Sequence, residues 1–198
     1  ASQISTATWT ATNAQGGYAV PSSGTYAFID ITGTGTALGL GDDQAVLVTM
    51  PFSFETYGIP SNQACITNNG AISFGECFPQ ELWPTNTSLP NSYLPTLVLP
   101  LWDDLDGVAT GGDVYYATQG VAPNRRFIVE WFHKKHFPAS QSPTGVTFEA
   151  ILVEGTGAIS FQYQTMASGV RSWDCGGDAW IGLPGFHGAA GDACACHA

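Results

Sequence analysis

Between Pro100 and Tyr163 the chain alternates short hydrophobic stretches with Asp/Gly turns, and no helical period interrupts them. Alternating or apolar runs predict strands over Thr25–Ile31, Ala45–Phe54, Leu97–Trp102, Val114–Thr118, Phe127–His133, Thr147–Val153, Ile159–Tyr163 and Trp180–Leu183. The clearest local signal is a hairpin over Ala64–Phe74. There Asn69-Gly70 supplies the positive φ angles of a tight turn between two β-forming runs. Pro51 interrupts or bends the Ala45–Phe54 strand, because proline has no N–H to give to a ladder. Leu97–Trp102 is almost wholly apolar, as a strand buried on both faces would be. In Phe127–His133, the side chains of Phe127, Val129 and Trp131 share a face with His133. Ile4–Tyr18, rich in Thr, Ala and Asn with weak alternation around Trp9, reads as an arm or edge strand. Glu76–Tyr93, interrupted by Pro79, Pro84 and Pro90, reads as a long loop.

About ten strands with frequent turns predict an all-β, mainly antiparallel sandwich of jelly-roll-like topology with few or no helices. The expected organisation is an arm or edge strand over 1–24, a sandwich over 25–184, and a Gly/Ala/Cys-rich tail over 185–198.

Composition narrows the function. With 198 residues, a domain of this kind buries roughly 70% of its unfolded surface and needs no metal to supply its core. Only 11% of residues are charged and the net charge is −11, which makes nucleic acid and anionic membranes poor partners. Four of the five cations form the pairs Arg125/Arg126 and Lys134/Lys135. No run approaches the length of a membrane helix. The opening ASQIS reads as a mature N-terminus left by cleavage at a small residue. The five cysteines, Cys65, Cys77, Cys175, Cys194 and Cys196, point to an oxidising compartment. Cys65 with Cys77, and Cys175 with Cys194 or Cys196, are reasonable bridges; the odd count leaves one thiol free or paired between chains. Asn86-Thr87-Ser88 is a glycosylation sequon.

The order of motifs resembles the nidogen-like (NIDO) family of extracellular domains. It runs from the Asn-rich hairpin TNNGAISF through LVLPLWDDLDG, GDVYY and FIVEWF to the paired strands of VTFEAILVEGTGAISFQY. The resemblance covers roughly Phe52 to Leu183. It implies a nidogen-like sandwich with an extracellular, non-catalytic role in matrix or surface interaction, and supplies no catalytic residues to carry over.

Candidate chemistry is sparse. Asp103, Asp104 and Asp106, with Asp113 nearby, offer carboxylates beside a sharp turn, the kind of donors calcium takes; capping of turns is the plainer explanation. Asp42 and Asp43 form a weaker acidic pair. His133 and His136 flank two lysines, and Cys194-Ala195-Cys196-His197 holds metal-ligating types, for which disulfide use is the plainer explanation. No G-x-S-x-G elbow is present. Glu130, Glu149 and Glu154 lie on or beside strands, and Glu130 and Glu149 could face each other from neighbouring strands as in a sandwich glycosidase. Otherwise they are outward-facing strand residues. Trp83, Trp102, Trp173 and Trp180 fall at loops or strand ends, where a ring can stack on a sugar.

The sequence therefore predicts a secreted or cell-surface, non-catalytic structural or adhesive module with no obligatory cofactor, calcium being the one candidate. Its expected partner is protein, most simply a second copy joined by strand addition, with Trp9 and Trp83 at the contact. A carbohydrate-binding module and a β-sandwich glycoside hydrolase are the alternatives.

Overall fold

A computed structural model of the chain describes residues 25–77, 96–174 and 179–183, together with the backbone of Ser5–Trp9. Eleven strands are present among them. In chain order they are β1 (Ser5–Trp9), β2 (Thr36–Ala37), β3 (Ala45–Thr56), β4 (Ile59–Thr67), β5 (Ile72–Phe74), β6 (Leu97–Trp102), β7 (Asp113–Gln119), β8 (Arg126–Lys134), β9 (Val146–Val153), β10 (Ile159–Thr165) and β11 (Trp180–Gly182). The only helical element described is a single 3-10 turn, Val108–Thr110.

The strands form two sheets, ordered β1-β10-β9-β8-β7-β2 and β11-β6-β5-β4-β3, with every pairing antiparallel. Period-two alternation builds the space between them. Phe127, Val129 and Trp131 of β8, Phe148, Ala150 and Leu152 of β9, and Phe161 and Tyr163 of β10 meet Met50, Phe52, Phe54, Ile66 and Ile72 in one core. Trp131 stacks on Phe148 with ring centroids 5.1 Å apart and planes 9° from parallel, and its indole N–H donates to Thr67 O at 2.8 Å. Tyr163 reaches across the core so that its hydroxyl donates to Pro100 O at 2.6 Å. Both polar tips are thereby satisfied, which makes burial of these large rings favourable.

Leu97–Trp102 is buried at every position, as its apolar run predicts. Leu97, Leu99 and Trp102 join Ala71 in a separate cluster, so Trp102 is a core residue and not the exposed ring expected from its place at a strand end. Pro51 bends nothing out of phase. Val48, Met50, Phe52, Phe54 and Thr56 stay buried, while the pairing with β4 shifts register between Thr49 and Phe54. β3 is an edge strand, where a missing N–H is tolerated.

The Cys65–Cys77 disulfide ties β4 to the residues just after β5. It closes a sequence separation of 12 residues, a constraint on the unfolded chain of about 3 kcal/mol. The two sheets are also joined at the surface. Arg125 makes a two-pronged pair with Glu154 (2.7 and 2.6 Å) and lies 5.3 Å from the centroid of the Phe52 ring.

Three further expectations are corrected. Thr25–Ile31 is extended but belongs to no ladder; it is a strap across the outer face of the six-stranded sheet. The hairpin loop has three residues, Asn68–Gly70, closed by Thr67 N–H to Ala71 O, and only Gly70 in it has positive φ. Finally, β8 carries a bulge. Trp131 pairs with Phe148 and Lys134 with Val146, one residue more on β8 than on β9. His133 sits in the bulge at φ 51°. The extra residue reverses the alternation, so His133 turns to solvent and Lys134 turns inward. Gly112 and Gly145 flank the bulge so closely that a Cβ on either would lie 2.4 or 2.3 Å from His133 O.

Candidate functional site

One end of the sandwich gathers four polar segments: the Asp42-Asp43 turn before β3, the Asn68-Asn69 loop between β4 and β5, the Asp103–Asp106 loop after β6, and Lys134–His136 at the end of β8. Asn69 organises the first three. Its Nδ2 donates to Asp43 Oδ1 at 2.8 Å and its Oδ1 accepts the Leu105 N–H at 3.0 Å. Asn68 is wholly buried, and its Nδ2 donates to Leu105 O and to Asn69 Oδ1. Its own Oδ1 accepts from Lys134 Nζ at 2.5 Å.

The aspartates of this end do different work. Asp103 accepts the Asp104 N–H and lies 3.3 Å from His136 Nε2, and His136 stacks on Trp173 with centroids 4.0 Å apart. Asp106 accepts the N–H groups of Gly107 and Ala139, and Asp113 those of Gly39 and Val114. Asp104 instead meets Asp42 and Asp43, with one carboxylate oxygen of each within 4.8 Å of the others. Desolvation raises the pKa of Asp104 and of Asp42, and their negative neighbours raise both further. This trio holds oxygen donors of the type calcium takes. Asp103 and Asp106, which share the same short sequence motif, are directed elsewhere.

Lys134 is 1% exposed, and burial lowers its pKa to about 8 against the opposing pull of Asp113, Asp106 and Asp42. Sequence reasoning missed this lysine because strict alternation points it outward.

The second polar assembly lies beneath the strap. Backbone N–H groups of Ala27, Ile29 and Ile31 donate in turn to Gln162 of β10, Glu149 of β9 and Glu130 of β8, at 3.1, 3.0 and 2.8 Å. A strap with its own alternating donors thus crosses three strands and finds one acceptor on each. Ile31 packs with Ile128 and Ile151 under it. The chain then becomes β2 on the far edge of the same sheet, so segments upstream of residue 38 supply both edges and the outer cover.

Glu130 and Glu149 are directly opposite in register, and both are buried. Desolvation raises Glu149 to about 8, with the charge of Glu130 adding to it; desolvation likewise raises Glu130 to about 7, with Asp30 adding. They point away from the core, on the outer face of the six-stranded sheet, but the strap covers them and both are buried. Glu154 is engaged with Arg125.

An open groove of about 530 Å³ beside the β3–β4 register shift is lined by Met50, Pro51, Phe52, Ser53, Pro60, Ser61 and Asn62, none of them ionisable. Trp180 is partly exposed on β11. The backbone of Trp9 pairs with Ile159. Trp83, Cys175, Cys194, Cys196 and the sequon lie outside the described residues.

No helix among the described residues is long and apolar enough to cross a membrane. No curated protein and no solved structure matches the chain. A family model described as NIDO related matches residues 17–193, further in both directions than the motifs alone reach, and so takes in the strap and β2. Nidogen-like domains are typically extracellular and generally non-enzymatic. With both sheets of the sandwich inside the match except β1, the chain belongs to the NIDO-related family.

Proposed function

We propose that this domain is a non-catalytic extracellular structural module that associates with like copies by exchanging β1. The observation that carries the reading is the placement of β1. Five residues pair with β10, from Ser5 opposite Tyr163 to Trp9 opposite Ile159, and complete an edge that the body of the domain leaves open. Residues 10–24 separate β1 from the strap, a length of chain that can span on the order of 50 Å when extended. The same strand can therefore close the β10 edge of its own domain or of a neighbour with the same main-chain hydrogen bonds. The burial of Glu130 and Glu149 and the unreactive lining of the groove support a role without catalysis. Sedimentation of the full chain over a range of concentrations should show species larger than a monomer, and deleting residues 1–9 should remove them. A single monomeric species for both proteins at high concentration would end this reading.

Calcium is proposed for the Asp42, Asp43 and Asp104 trio, where a divalent cation would relieve the crowding of charge. Millimolar calcium should raise Tm, and Asp104→Asn should abolish the rise while Asp103→Asn retains it. An unchanged Tm, together with no heat in a calorimetric titration of metal-free protein, counts decisively against it.

A further inference from the structure

The contact between Lys134 and Asn68 calls for a chemical explanation. A buried ammonium is ordinarily paired with a carboxylate. Here the atom in contact with Lys134 Nζ is a carboxamide oxygen, 2.5 Å away, on a residue that is itself wholly buried. The amide is held in place from its other end, where Nδ2 donates to Leu105 O and to Asn69 Oδ1. The amine is delivered by the β8 bulge, which Gly112 and Gly145 accommodate on both sides.

We propose that Lys134 and Asn68 join in an intramolecular isopeptide bond. The lone pair of the neutral Lys134 amine adds to Asn68 Cγ. The Nζ–Cγ bond forms, the Cγ–Nδ2 bond breaks, and one Nζ proton passes to Nδ2, which leaves as ammonia. Nothing is oxidised or reduced, and no co-reactant is needed. Burial favours the neutral amine, and the low pKa of Lys134 makes that form accessible near neutral pH. The product ties β8 of one sheet to the β4–β5 loop of the other across 66 residues of sequence. It is independent of whether β1 exchanges between copies.

Intact mass spectrometry of the reduced, denatured full chain tests it. The mass should fall short of the sequence by one ammonia, and peptide mapping should give a branched peptide joining residue 134 to residue 68. Lys134→Arg should restore the full mass. Asn68→Asp, which retains the shape of the site, should restore it or lose one water with the same branch. A succinimide at Asn69-Gly70 also releases ammonia, but it gives no branch and would persist in Lys134→Arg. Full mass in folded wild-type protein, or an ammonia loss that survives Lys134→Arg, overturns the proposal.

Discussion

Gly70→Ala is expected to be among the most damaging single substitutions in this domain. Gly70 has φ 77°, a conformation that costs an L-residue about 1–2 kcal/mol. The larger obstacle is space. A Cβ there would lie 1.8 Å from Leu101 O, 2.8 Å from Leu101 C and 3.3 Å from Phe148 Cζ. The first two atoms are backbone of β6, inside the second sheet, and cannot swing aside. Relief requires the Asn68–Gly70 loop to lift away, which breaks the Asn69 contacts to Asp43 and Leu105 and the Asn68 contact to Lys134. The expected loss exceeds about 4 kcal/mol, beyond the ordinary range for point mutants. At roughly 2–4 °C per kcal/mol, Tm should fall by at least about 8 °C, or the protein should not fold. Gly75→Ala is the matched control: φ is 91°, but nothing lies within 4 Å of the added Cβ. It should cost only the backbone strain. Equal losses at the two positions, by thermal or denaturant unfolding, would show that the close approach to Leu101 is not what demands glycine.

Raising the pH from 5 to 9 is expected to weaken the wild-type domain by a few kcal/mol through the two glutamates under the strap, since each unit of pKa displacement is worth about 1.4 kcal/mol. Both carboxyls bind their protons more tightly folded than unfolded: about 7 for Glu130 and about 8 for Glu149, against an ordinary value of 4.5. Their contribution is therefore complete below 4.5. It declines as pH rises, through the folded values near 7 and 8, and is flat above them. Glu130→Gln/Glu149→Gln keeps an acceptor oxygen for each strap N–H but cannot ionise. Its stability should match wild type near pH 5 and exceed it at pH 9. Comparing the two proteins at each pH cancels the other titrations. A wild-type curve that runs parallel to the double variant from pH 5 to 9 would mean that burial does not hold these protons.

Much of the sandwich was legible because local pattern decides it. The apolar run of β6, the paired strands β9 and β10 with their Gly-containing turn, and the Cys65–Cys77 bridge all depend on neighbours close in sequence. What was hidden depends on partners far away. TYAFIDI alternates identically whether its N–H groups meet another backbone or the side chains of Gln162, Glu149 and Glu130. The bulge at His133 leaves no mark in a period-two reading, yet it decides that Lys134 faces inward and His133 outward. Among the acidic residues, adjacency suggested that Asp103, Asp104 and Asp106 would act together. The fold gives Asp103 to His136 and Asp106 to backbone N–H groups, and brings Asp104 to a turn some sixty residues earlier in the chain. Those assignments follow from how the loops at one end of the sandwich meet.

Assembly through β1 is tested most directly by asking whose β10 it occupies. Thr8 and Ser160 are register partners. The double variant Thr8→Cys/Ser160→Cys, oxidised at high concentration and compared on non-reducing gels with wild type and each single variant, reports the identity of the paired strands. Exchange predicts covalent multimers that only the double variant forms and that carry the 8–160 link between isotopically distinct chains in a mixed sample. An 8–160 link confined to single chains at every concentration would contradict it.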